Sequence, residues 1–162
     1  MELTVQEINT IAEKFRYAVD YAREKGAFDG DRVIDRIEYP KACCQILSEL
    51  LGRYLHEMGF ETLCNAGQYG NGWTAQNHAW LETYNGTVID ITRDQFYDRD
   101  DVLHWEKKVY VGPRDYFWEA FKKDIHKGGL VPWDQGIDSS TRLQKNFERR
   151  YDIIMKYIEI IP

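Results

Sequence analysis

Asn77-His-Ala-Trp-Leu-Glu-Thr-Tyr84, then Asn85-Gly86, then Thr87-Val-Ile-Asp-Ile-Thr92 is the stretch on which the fold turns. Two runs rich in β-branched and aromatic residues flank an Asn-Gly pair, a strong hairpin signal. The length of the turn decides which side chains share a face. A two-residue loop pairs Tyr84 with Thr87 and Leu81 with Asp90. His78 and Asp90 then face opposite sides, because side chains alternate along a strand. A three-residue loop, Tyr84-Asn85-Gly86, pairs Thr83 with Thr87, Leu81 with Ile89 and Ala79 with Ile91. That register gathers apolar residues on one face and puts His78, Trp80, Asp90 and Thr92 on the other. Gly86 suits the left-handed position that such a loop needs, in a type I turn with a G1 bulge. Patterning therefore predicts the three-residue loop.

Outward from the hairpin, Phe60 to Ala66 reads as a preceding strand. A glycine-rich loop follows, Gly67-Gln-Tyr-Gly-Asn-Gly72, which reads either as the cover of a cleft with Trp73 near its entrance or as a plain surface loop. Val109 to Val111 reads as a further short strand. Thr4-x-x-Glu7 is a capping box, and Val5, Ile8, Ile11, Ala12, Phe15, Val19 and Ala22 follow it at helical spacing up to Gly26. Pro40 biases Tyr39 toward an extended conformation. A second helix is expected just after it, with Leu47, Leu50, Leu51, Tyr54, Leu55 and Met58 as its stripe and Gly59 as its stop. Pro113 is expected to open a helix using Tyr116, Phe117, Ala120, Phe121 and Ile125. Ser139 or Ser140 is expected to cap a last one, whose stripe is Leu143, Phe147, Tyr151, Ile154 and Ile158. Helices flanking a small antiparallel sheet make the class α+β.

At 162 residues without repeat, linker or low-complexity tract, residues 1–162 read as a single domain. With 27 acidic against 21 basic residues the net charge is −6, which argues against a nucleic-acid partner. No run of about 18 apolar residues offers a membrane span, and the charged N-terminus lacks the apolar core of a signal peptide. Three cysteines, two of them adjacent, make no disulfide framework and suit a reducing compartment, so a cytoplasmic location is expected.

Three polar features fall at element edges: Cys43-Cys44 at the start of the second helix, His78 on the first hairpin strand, Asp90 on its partner. A helix N-terminus favours thiolate, an imidazole can take the thiol proton, and a carboxylate can hold the imidazole in one tautomer. Each residue also has a plainer reading. Both cysteines are candidates for packing, His78 for a backbone-bonded strand histidine, and Asp90 for a salt bridge to Arg93. A metal site from Cys43, Cys44, Cys64 and His78 lacks ligand spacing, and Gly67 to Gly72 is not a phosphate-binding loop.

The segment Pro40-Lys-Ala-Cys-Cys44, with Ser48 and Gly59 beyond it, then His78-Ala-Trp80, then Ile89-Asp-Ile-Thr92, resembles the transglutaminase-like superfamily of papain-like cysteine enzymes. The resemblance spans roughly residues 40 to 96. It implies Cys44 as nucleophile, His78 as base and Asp90 as orienter, in a papain-like domain whose nucleophile helix packs on the sheet. Ala42 stands where that family usually has Gly. The resemblance further implies acyl transfer on a carboxamide or peptide bond of a protein or peptide substrate, by a peptidase, deamidase or transamidase without a cofactor. The competing class is an inactive module of the same fold that binds a peptide or protein. No upstream residue stands out as a second oxyanion donor.

Overall fold

The computed structural model describes residues 2–129 and 142–162. Among the described residues, four α-helices pack around one antiparallel sheet of five strands, so the class is α+β. Helix α1, Val5–Glu24, begins as the capping box requires: Thr4 Oγ1 accepts from the Glu7 N–H, and the Thr4 N–H donates to Glu7 at 2.8 Å. Its Ile8, Ala12, Phe15, Val19 and Ala22 are buried, whereas Val5 at the first turn is exposed. Helix α2, Cys44–Glu57, buries Leu47, Leu50, Leu51 and Leu55 against α1 and the sheet.

The strands are β1 Leu63–Tyr69, β2 Gln76–Glu82, β3 Thr87–Asp90, β4 Tyr110–Pro113 and β5 Lys123–Gly129, in the order β4-β3-β2-β1-β5. The hairpin adopts the three-residue loop. Leu81 pairs with Ile89, the Thr83 N–H donates to the Thr87 carbonyl at 2.9 Å, and Gly86 has φ +86°. Leu81, Ile89 and Ile91 join the core built with α1, α2 and the C-terminal helix α4, Arg142–Ile160. Trp80 and Val88 face the other way, into an aromatic core with Phe96, Phe117, Trp118 and Phe121. The sheet thus separates an aliphatic layer from an aromatic one, and His78 and Asp90 lie on the aromatic side.

Three expectations require correction. The strand expected over Phe60 to Ala66 begins three residues later and runs on through Gly67 to Tyr69, so half of the expected glycine-rich loop is strand. Gly67 pairs with His78, and a Cβ on it would meet Phe121 Cβ and its carbonyl oxygen, both at 2.7 Å. That glycine marks a close approach rather than a loop. The helix expected from Pro113 to Ile125 is a single turn, α3, Tyr116–Glu119, capped by Asp115. Pro113 itself closes β4; Phe117 and Trp118 on that turn and Phe121 just past it are buried in the aromatic layer, and the chain then returns as β5 along β1. In α4, Phe147, Tyr151, Ile154 and Ile158 are buried as expected, but Leu143 is exposed. The proposed caps Ser139 and Ser140 lie outside the described residues.

Polar ties lock the helices to one another. Asp31, in the link between α1 and α2, accepts from the backbone N–H groups of Val33 at 2.9 Å and Ile34 at 3.1 Å. It also accepts from Arg149 at 2.6 Å and Arg150 at 2.8 and 3.0 Å, both on α4. Arg16 on α1 grips Asp94 with two bonds, 2.8 and 2.9 Å, and donates to the Ile91 carbonyl, which fixes the chain immediately after β3. No described helix is long and apolar enough to cross a membrane.

Candidate active site

The turn before α2 sets the position of the first site residue. Ala42 has φ +62°, a left-handed conformation that an L-residue adopts at a cost of roughly 1–2 kcal/mol. This is the position where the resemblance expects Gly, and the backbone takes the glycine conformation despite the Cβ. The turn leaves Cys43 at the N-cap without a side-chain capping bond and Cys44 as the first helical residue. One residue of helix rotation then separates two chemically different thiols. Cys43 is fully buried, donates to the Val33 carbonyl at 3.3 Å, and burial pushes its thiol up to about 11. Cys44 points to the sheet. Burial would raise its pKa too, but the His78 ring and the backbone N–H of Ala79 outweigh that and hold the thiol below its ordinary value. Ser48, one turn along α2, donates to the Ala79 carbonyl at 3.4 Å and ties the helix to this point of β2. Cys64, buried in β1, is pushed up to about 12, chiefly by burial.

His78 is buried in the aromatic layer, its ring 5.1 Å from Phe96, 5.5 Å from Phe121, and 5.8 Å from Trp80 and Phe117. Its Nε2 is 2.6 Å from Asp90 Oδ2. Burial opposes the charged ring, yet the Asp90 carboxylate and the Cys44 thiol more than offset it, so the His78 pKa is raised. With Nε2 bonded to Asp90, Nδ1 is the nitrogen available to exchange a proton with the thiol, and the Gln95 amide lies against that same nitrogen.

Asp90 is completely buried at the end of β3 and is fully engaged. Besides His78, its oxygens accept from the Thr92 N–H at 3.0 Å and from Trp118 Nε1 at 3.3 Å. Arg93, the alternative partner, makes no bond to it. The Arg93 guanidinium lies buried over Trp105 at 3.4 Å, Phe117 at 4.1 Å and Trp118 at 4.5 Å, with Asp115 3.8 Å away. The packing that holds Asp90 therefore runs from Arg93 through Trp118.

All three residues singled out from sequence are brought together. Two more belong to the site and were not singled out. Trp118 gives its indole N–H to Asp90, and Gln95 places Nε2 against His78 Nδ1. Neither has a local signature: Gln95 lies five residues past Asp90 in a short helical turn, Arg93–Phe96, and Trp118 on a one-turn helix. A cleft of about 480 Å³ opens beside Gln95, its walls including Lys41, Ala42, Gln76, Phe96 and Asp98; Cys44, His78, Asp90 and Trp118 do not line it. Trp73, expected near the entrance, is fully exposed and is not part of those walls. Among the described residues, no three His, Cys, Asp or Glu side chains converge as a metal-ligand set.

Comparison with protein-family models, with curated proteins and with solved structures found no matching family, protein or structure.

Proposed function

We propose that this protein transfers acyl groups through a cysteine thioester, cleaving a carboxamide or peptide bond in the manner of transglutaminase-like cysteine enzymes. The observation that carries this reading is one buried imidazole bonded to a buried carboxylate and set beside a helix-start thiol whose pKa the ring lowers. A histidine kept only for packing needs neither partner, and a cysteine kept only for packing looks like Cys43 or Cys64. In the proposed reaction Nδ1 of His78 takes the Cys44 proton, and the thiolate adds to the substrate carbonyl carbon. The carbonyl oxygen becomes an oxyanion, stabilised by the Cys44 backbone N–H at the uncapped start of α2. His78 then gives its proton to the departing amine as the thioester forms. Water or an amine, deprotonated by His78, attacks the thioester and releases Cys44. Asp90 keeps the Nε2–H tautomer and stabilises the imidazolium.

Labelling with iodoacetamide at neutral pH, read by mass spectrometry, tests the reading. Cys44→Ala is expected to abolish rapid labelling, while Cys43→Ala and Cys64→Ala retain it. A Cys44 no more reactive than a free thiol would favour the non-catalytic binding module, and labelling that follows Cys43 would overturn the assignment.

A further inference from the structure

Gln95 is held firmly at both ends. Its turn is fixed by Arg16 on Asp94 at 2.8 and 2.9 Å, and its own N–H donates to the Thr92 carbonyl at 3.0 Å. Its side chain is buried, with Nε2 bonded to His78 Nδ1, and it also forms part of the cleft wall shared with Ala42, two residues before Cys44. One amide therefore stands between the imidazole and the cleft that reaches the nucleophile turn.

The polarity of that bond changes during the proposed reaction. A neutral ring, which His78 becomes each time it passes its proton to the leaving amine, keeps its other proton on Nε2; Nδ1 is then an acceptor, and the Gln95 NH₂ group is its correct partner. Once Nδ1 has taken the thiol proton it is a donor, and two buried donors face each other, which is costly. Half a turn about the last side-chain bond, a soft two-fold torsion, sets Oε1 on the Nδ1–H and turns the NH₂ group into the cleft. Resting on the thioester reading above, we propose that Gln95 is the second oxyanion donor and that protonation of His78 turns its amide into place. The donor is then presented when the thiolate is ready to attack. No bond in Gln95 is made or broken; the proton moves from Cys44 to His78 and on to the leaving group.

Two reactions of the intact protein separate this role from a structural one. Iodoacetamide alkylates Cys44 by displacing iodide, with no carbonyl addition. Acylation by p-nitrophenyl acetate adds the thiolate to the ester carbonyl, passes through an oxyanion and expels p-nitrophenolate. Gln95→Met and Gln95→Ala are expected to slow the p-nitrophenolate burst roughly hundredfold, while alkylation, which passes through no oxyanion, is slowed far less and so reports an intact site. Parallel loss of both reactions, or an unchanged burst, would overturn the proposal while leaving the thioester reading in place. A burst that survives in Cys44→Ala would overturn that reading and the proposal together.

Discussion

Asp90→Asn removes one charge at nearly constant shape and disturbs every bond that the carboxylate accepts. Asp90 Oδ2 accepts from His78 and Trp118, and Oδ1 accepts from the Thr92 N–H. An amide has one oxygen, so whichever way Asn is turned, its NH₂ group meets a donor. If the NH₂ faces His78, the ring must accept at Nε2, which moves its proton to Nδ1 and removes the base from the thiol. If it faces Thr92, the tautomer survives but the charge is gone. A carboxylate and an imidazolium about 4 Å apart at an effective dielectric near 20 attract by about 4 kcal/mol, or about three pH units on His78. The same carboxylate repels the Cys44 thiolate from further away, which offsets part of this. The net rise in the onset of thiolate reactivity is therefore about two pH units. The assay is the pH profile of iodoacetamide alkylation. In the wild type the onset lies below the ordinary thiol range, and the charge pair persists until His78 deprotonates at about 9. In Asp90→Asn the rate near pH 6.5 is expected to fall by roughly ten- to hundredfold, with the onset moved upward. An onset moved by less than about half a unit, in a folded variant, would refute the coupling of carboxylate, imidazole and thiol.

Two further outcomes concern the framework. Ala42→Gly relieves a left-handed alanine at the expense of a more flexible unfolded chain, so the urea midpoint is expected to rise by the equivalent of about 0.5–1 kcal/mol. A lower midpoint would show that the turn is not strained. Asp31→Asn leaves Arg149 and Arg150 facing an uncharged group and is expected to destabilise the fold by about 3 kcal/mol in chemical denaturation. Burial would raise the Asp31 pKa, but Arg150, the amides of Ile34 and Val33, and Arg149 outweigh it and hold it far below the usual carboxylate range. A depressed folded pKa gives stability that is present above the unfolded value, about 4, and is lost as pH falls below it. The wild type should therefore lose stability between about pH 5 and 3 more steeply than Asp31→Asn does; parallel curves would exclude Asp31 as the source.

What the sequence itself determined is local and periodic. The capping box placed the start of α1, since Thr4 and Glu7 satisfy orphan amides within one turn. The leucine stripe placed α2. The hairpin register followed from alternation, because the two-residue turn would have buried Asp90 beside Leu81. Hence His78, Asp90 and the Cys43-Cys44 pair were legible: each sits at an element edge whose position patterning fixes. The choice between Cys43 and Cys44 was not open to periodicity, since both lie on the inward side of α2. It was decided by the left-handed Ala42 turn, which packs one thiol in the core and turns the other to the sheet. The tertiary structure alone decided the aromatic side of the sheet. Aromatic residues spaced for a helix closed into one turn, because Phe121 could pack against Gly67, and the chain was then free to return as β5. Gln95 and Trp118 reach His78 and Asp90 only through that packing. Neighbours 17 and 28 residues apart in sequence leave no period to read, because their meeting depends on how the layers stack.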